Sequence, residues 1–289
     1  MREPLSLRHA LLLGLVQGPT EVLPVSSSAH LALIPRLAGW PLADADPELR
    51  NALEVALHAG AAAALTIALR GELAEGVREL DGRRLAVATL ALVPPALAGY
   101  LLEQRLERRP ASPRSLAAGL AAGGVAMAWG DLRPGRCSPT DAGTSPRRLP
   151  DVRPGDGFAL GVAQALALVP GVSRNGATLT AARIRGFLRE DAHTLSWRVG
   201  LPVIVGAAAL KAVRLAQRGA PPGAPRALGA GAAAAFASTL ASASLLRRGA
   251  RARALWPFAL YRGGLALVAA VDDRESWTLT TRTNSPGSS

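Results

Sequence analysis

The chain has 289 residues, 49% of them hydrophobic and only 19% charged, with a mean hydropathy of +0.21. Its formal net charge of +12 comes almost entirely from arginine, since Lys211 is the only lysine, and Cys137 is the only cysteine, which excludes an intramolecular disulfide and a cysteine metal cluster. High basicity often signals nucleic acid, but these arginines fall in short loops between apolar runs, a placement that suits anionic lipid head groups instead.

The first predicted element is an apolar helix that carries Gly14, Gln17 and Glu21. Gln17 and Glu21 stand at i and i+4 and share one helix face. Pro24 cannot continue that helix, because it lacks an N–H and clashes with the preceding turn. Ser26, Ser27 and Ser28 then offer capping hydroxyls for a second helix starting near Ala29. Ser27 and His30, three apart, face the same way in its first turn. A carboxylate, hydroxyls, an imidazole and free backbone N–H groups are thus expected around one break.

Apolar runs approaching the roughly 20 residues that a helix needs to cross a bilayer core follow at 52–69, 85–102, 116–129, 195–215, 227–246 and 255–271. Charges gather between them, at 70–84, 103–114, 183–191 and 247–253. The runs are rich in Gly and Ala, which lets helices pack closely in a membrane. A soluble Ala-rich helical protein is the alternative, and the confinement of charge to the loops argues against it. Charged loops flank successive runs on both sides, so Lys/Arg bias assigns no orientation. Within the first of these runs, Glu54 and His58 stand at i and i+4, to line a cavity or to pair across helices. Arg198 is expected to snorkel from a helix end, and His9 and His193 to be solvated. No cleavable leader is expected in the short segment before the first motif.

The Pro-, Gly- and Arg-rich stretch 131–157 reads as the loop between two halves. The second half then repeats the first device 147 residues further on: Gly161, Gln164, Val172 and Ser173 fall where Gly14, Gln17, Val25 and Ser26 stand. Pro170 and Gly171 break the apolar run, and Ser173 can cap the next helix. Arg174 and Thr178, at i and i+4, project a guanidinium and a hydroxyl to one side, and Asn175 lies between them. A helix N-terminus with an arginine is an anion site. Broken helices in corresponding positions of two halves point to a binding site at the repeat interface of a membrane protein. Ionisable groups at membrane depth are expensive and functional by default, which singles out Glu21, His30 and Arg174. Residues 218–226 form a second polar connection, and 272–289 read as a disordered polar tail. The domain reading is one integral membrane unit over 1–271, with a first repeat at about 1–130 and a second at about 158–271.

These motifs resemble those of the undecaprenyl-diphosphate phosphatase family, the bacitracin-resistance membrane proteins. The first family motif appears as Gln17, Glu21, Leu23, Pro24, Val25, Ser26, Ser27 and His30. The second appears as Pro170, Gly171, Val172, Ser173, Arg174, Asn175 and Thr178. The likeness extends to residues 54–60 and 258–262. Asn175 stands where the family usually has Ser, Gln17 where many members have Glu, and Ala29 where Gly is frequent; Arg198 falls in a helix that is usually apolar there.

The resemblance implies an all-α polytopic membrane protein of two inverted-topology repeats, each with a re-entrant broken helix hairpin. It implies hydrolysis of undecaprenyl diphosphate in the bacterial cytoplasmic membrane, recycling the lipid carrier of cell-wall synthesis. It implies a divalent cation, Mg²⁺ or Ca²⁺, with Glu21 as its ligand, and allows a homodimer. Glu21, Ser27, His30 and Arg174 would be catalytic: Arg174 and the helix N-termini holding the diphosphate, Ser27 attacking or positioning water, Glu21 binding metal or acting as base, and His30 moving a proton. Gln17, Ser26, Ser173, Asn175 and Thr178 would contact the substrate. A transporter or flippase of polyprenyl phosphate lipids is the rival expectation, since broken helices in two halves are also a transporter architecture.

Overall fold

A computed structural model describes residues 5–108, 112–132, 146–250 and 254–283. Among these there are eleven α-helices, and the only β pairing is the isolated bridge between Arg147 and Phe187. The helices are α1 Leu7–Val22, α2 Ser27–Leu37, α3 Pro47–Ala68, α4 Arg70–Arg78, α5 Gly82–Arg108, α6 Pro113–Leu132, α7 Pro154–Leu166, α8 Arg174–Ile184, α9 Arg189–Arg218, α10 Pro225–Ala250 and α11 Trp256–Thr283. Cys137 and the rest of residues 133–145, within the predicted inter-half loop, lie outside the described residues.

Among the described residues, four helices are long and apolar enough to cross a membrane: Pro47–Ala68, Gly82–Leu102, Arg189–Arg218 and Pro225–Leu245. The predicted runs at 116–129 and 255–271 also form helices, α6 and α11, α6 being only weakly apolar because it is rich in Gly and Ala. Side chains such as Leu97, Leu101, Val125 and Leu267 stand outward and exposed on α5, α6 and α11, as a lipid-facing surface would have them.

Two helix pairs are separated by short breaks. α1 ends at Val22, where the Leu23 N–H still reaches the Pro19 carbonyl at 3.0 Å. The chain then turns through Ser26, the only non-glycine residue with positive φ (74°) among the described residues. Such a backbone is unfavourable for a residue with a Cβ and marks a conformation that the surroundings hold. α2 starts at Ser27, two residues before the predicted start. Ser26 occupies the capping position, yet its hydroxyl makes no capping bond and instead meets Ser28 Oγ at 3.3 Å; the left-handed backbone points the side chain away from the helix axis. The second break behaves as expected. Gly171 takes φ 86°, and Ser173 Oγ accepts from the Gly176 N–H at 3.2 Å.

The packing has a regularity of its own. α1 packs on α10 while α7 packs on α5, α3 meets α9, and α6 meets α11. Exchanging the halves turns the first pair into the second and each of the other two into itself. Matched glycines permit close approaches in both halves. A Cβ on Gly14 would lie 2.5 Å from the Gly231 carbonyl, and one on Gly161 would run into the Leu90 carbonyl and Pro94. Residues on both sides of each break are buried, among them Glu21, Ser26, Ser173 and Asn175.

Three predicted features differ. Arg198 does not snorkel from a helix end: it lies within α9 and pairs with Glu79 at 2.9 Å and Glu75 at 3.1 Å. His193 is buried, and His9 stacks on Trp40 with centroids 4.1 Å apart; both flank loops in sequence but face packed neighbours. α11 continues through the predicted tail to Thr283, because no Pro or Gly interrupts the chain between Gly264 and Pro286, and Asp272 is held by Arg36 at 2.7 Å.

At the start of α7, outside the four long apolar helices, Asp156 is fully buried. It accepts from Arg147 at 2.9 and 2.5 Å, from Arg185 at 2.7 Å and from the Arg153 N–H at 2.8 Å. Burial opposes its ionisation, but these donors outweigh burial and hold its carboxyl below the ordinary value. Its stabilisation is therefore complete above the unfolded value, about 3.9, and is lost as pH falls through the lower folded value. Asp156→Asn should destabilise the protein by about 1–3 kcal/mol at neutral pH and flatten the acid limb. Thermal unfolding in detergent against pH is the measurement. An unchanged acid limb would show that Asp156 does not govern it.

Candidate active site

The two breaks meet. Glu21, in the last turn of α1, is buried, and its carboxylate gathers four side chains. Gln17 Nε2 donates to Oε2 at 3.2 Å, one helix turn back on the same face. Ser27, the first residue of α2, donates its hydroxyl to Oε2 at 2.7 Å. His58 Nε2 of α3 lies 3.8 Å from Oε2, while His58 Nδ1 is held by the Glu54 carbonyl at 2.8 Å. Arg174, the first residue of α8, donates Nη2 to Oε1 at 3.2 Å from 153 residues away.

Arg174 is the other pole of this junction. Its guanidinium carbon stands 5.7 Å from the Trp197 ring centroid, a contact that favours a flat cation. Its Nη1 is buried with no partner. A buried donor left unfilled is costly, and here it belongs to the first residue of α8, at a helix N-terminus that suits an anion. A Cβ at Gly200 would fall on Nη1, so the glycine makes room for the guanidinium. Gly200→Ala should therefore displace a flexible side chain and leave the helix packing intact. The expected result is at least a tenfold loss of the activity assigned below with a melting temperature within a few degrees of the parent. Undiminished activity would show that Arg174 works from another position.

The remaining sequence-predicted residues divide. Ser26 shapes the first break and supplies its carbonyl to His30 Nδ1 at 2.7 Å. His30 is close to the junction in sequence, but both its nitrogens are taken, Nε2 by the Tyr261 hydroxyl at 2.7 Å. Asn175 donates to the Val22 carbonyl at 3.0 Å and accepts from Ser196 at 3.0 Å, which ties the start of α8 to the end of α1. Thr178 bonds to the Arg174 and Asn175 carbonyls and to Ser196 Oγ at 2.5 Å. The structure thus brings Gln17, Glu21, Ser27 and Arg174 together and gives Asn175 and Thr178 partners within the protein, around the α1–α8–α9 contact.

Three residues near the breaks were not singled out as site residues from the sequence. His58 reaches Glu21 from α3, as its alternative of pairing across helices anticipated. Tyr261 meets His30. Arg262 is fully buried, donates Nη2 to the Gly119 and Gly171 carbonyls at 3.3 and 3.2 Å, and leaves Nε and Nη1 without partners. Its Nη1 lies 2.8 Å from where a Cβ on Gly176 would be, against the first turn of α8. The signal for Arg262 was present: a lone arginine in an apolar run is expensive.

No group of three or more His, Cys, Asp or Glu side chains could hold a metal ion among the described residues. The junction does offer two hard oxygen ligands, the Glu21 carboxylate and the Gln17 Oε1, a buried acceptor that no donor fills. That set fits a Mg²⁺-type ion that completes its shell with waters and substrate phosphate oxygens.

The sequence compares closely with known proteins. The family described as bacitracin resistance protein BacA matches residues 10–268. An undecaprenyl-diphosphatase of Trichlorobacter lovleyi is 37% identical over 279 residues, covering 92% of this chain and 97% of that protein. One from Geobacter metallireducens is 38% identical over 268 residues, covering 88% and 93%. Another, from Geobacter sulfurreducens, is 38% identical over 280 residues, covering 91% and 98%.

Proposed function

The chain belongs to the bacitracin resistance protein BacA family, and on that premise we propose how its residues act. It is an undecaprenyl-diphosphatase: it hydrolyses undecaprenyl diphosphate to undecaprenyl phosphate and inorganic phosphate, which recycles the lipid carrier of cell-wall synthesis and confers bacitracin resistance. The observation that carries the mechanism is the Glu21–Arg174 pair with a serine hydroxyl on one side and an unfilled guanidinium N–H on the other.

Arg174 turns its open N–H to the diphosphate and, with the N-terminus of α8, absorbs the charge that grows on the transferred phosphoryl group. The buried Arg262 adds positive charge behind the same turn. Exchange of Arg174 from carboxylate to phosphate releases Glu21 to take the Ser27 proton as Oγ attacks the terminal phosphorus. Undecaprenyl phosphate leaves on its own oxygen, and water then cleaves the phosphoserine, with His30 moving a proton. Gln17 orients Glu21. Ser173 retains a free O–H proton for a phosphate oxygen, while Asn175 and Thr178 hold the geometry of the second break. A Mg²⁺ or Ca²⁺ ion held by Glu21 and Gln17 would neutralise diphosphate charge.

The exchange symmetry of the helix pairs and the matched breaks support two inverted repeats, each with a re-entrant hairpin. The long apolar helices support a multi-pass protein of the bacterial cytoplasmic membrane, monomeric or paired. A flippase of polyprenyl phosphate lipids would need broken helices too, but not a serine bonded to a carboxylate that is paired with arginine. Phosphate release from the detergent-solubilised protein, with and without EDTA, is the test, because transport needs a sealed membrane. No release in detergent, together with lipid translocation in vesicles, would overturn the phosphatase reading.

A further inference from the structure

His30 and Tyr261 come from opposite ends of the chain, 231 residues apart, and meet at 2.7 Å between Nε2 and the phenol oxygen. Their rings are nearly parallel, 9° apart, with centroids at 5.7 Å. The other ring nitrogen, Nδ1, faces the Ser26 carbonyl at 2.7 Å. A carbonyl can only accept, so Nδ1 carries the proton. In the neutral ring Nε2 is then an acceptor, and the phenol must donate to it. Tyr261 is itself held in place, because its neighbour Arg262 is clamped to the Gly119 and Gly171 carbonyls. One dipeptide of α11 therefore touches both breaks. His30 is only 7% exposed whereas Tyr261 is 48% exposed, so the phenol is the side of this pair that meets the outside.

We propose that Tyr261 is a positioning residue for His30: with Nδ1–H fixed by the Ser26 carbonyl, the phenol O–H donates to Nε2, holds the ring in place and is the group through which a proton reaches Nε2. The inference rests on the phosphatase reading, in which His30 moves a proton. The bond between Nδ1 and the Ser26 carbonyl also pins the residue with the strained backbone, so the orientation of the ring and the shape of the first break are coupled through the same contact. The same logic governs histidines elsewhere, where the partner of one ring nitrogen decides what the other can do.

The test is ¹⁵N NMR of histidine-labelled full-length protein in detergent, above about pH 8 so that an ordinary imidazole is neutral. His30→Gln assigns the signals among the four histidines, and kinetics are run with a soluble short-chain prenyl diphosphate. In the wild type His30 should show a protonated Nδ1 and a hydrogen-bonded, unprotonated Nε2. In Tyr261→Phe Nδ1 should stay protonated while the Nε2 signal shifts to that of an imidazole nitrogen without its hydrogen bond. Its kcat should fall roughly tenfold or more, a share of the about 10²–10⁴ that general acid–base catalysis contributes, with KM within about twofold. A wild-type protein that turns over with its His30 proton on Nε2 would overturn the inference alone, and needs no variant that folds. So would Tyr261→Phe with His30 signals or kcat unchanged. Absence of phosphate release from the wild type would overturn the phosphatase reading and this inference with it.

Discussion

Arg174→Lys is expected to lower kcat by about 10²–10³ although the positive charge is retained, the scale of losing one preorganised stabiliser of developing charge. The guanidinium has two tasks in the structure. Nη2 holds Glu21 at 3.2 Å, while Nη1 stays open for the anion. A planar fork can keep one partner as it turns to another, whereas an ammonium is a compact point charge that cannot span both. Trp197, 5.7 Å from the guanidinium carbon, adds a face suited to a flat cation. Because the interaction is made mainly as charge develops, kcat should fall more than KM rises. Kinetics of the purified variant with a soluble short-chain prenyl diphosphate decide the point. Activity within a few-fold of the parent would mean that Arg174 only braces the two breaks.

Glu21→Gln should abolish measurable phosphate release while the protein still inserts and folds. The amide oxygen can still accept the Ser27 or the Arg174 hydrogen bond, so shape and most contacts persist. What disappears is the negative charge that takes the Ser27 proton and balances Arg174. General base catalysis is worth about 10²–10⁴ in rate, and among the described residues no other carboxylate bonds to Ser27. A buried pair stripped of one partner is also destabilising, so a lowered melting temperature should accompany the loss. The comparison that matters is turnover against the folded fraction by gel filtration. Near-normal turnover per folded molecule would remove Glu21 from the mechanism.

Several parts of this picture were legible before any coordinates. The break at Pro24 and the break at Pro170 and Gly171 follow from local chemistry, since proline removes an N–H from the helix ladder and glycine accepts a positive φ, although Pro19, Pro35, Pro94, Pro95 and Pro202 are carried within helices. Glu21, His30 and Arg174 stood out because ionisable groups at membrane depth are too expensive to be incidental. Gln17 and Glu21 were placed on one face by helical spacing alone, and they do bond. The limits were equally physical. Ser26 looked like an ordinary cap, and only the left-handed backbone at φ 74° shows why its hydroxyl makes no capping bond. Arg198 looked like a snorkelling end group because the acids that neutralise it, Glu75 and Glu79, lie more than a hundred residues earlier.

By itself, then, the sequence determined the helical class, the two breaks, the residue types gathered at each and, through its motifs, the family. Spacing within one helix or one turn dictates those features, and a one-dimensional pattern carries them fully. Tertiary structure alone decided which groups meet across the breaks. Glu21 finds Arg174, His30 finds Tyr261, and Arg262 finds the Gly171 carbonyl only because packing brings α1 to α8, α2 to α11 and α11 to the second break. The need of a buried charge for a partner is written in its surroundings along the chain, but the identity of that partner depends on which distant segment the packing delivers.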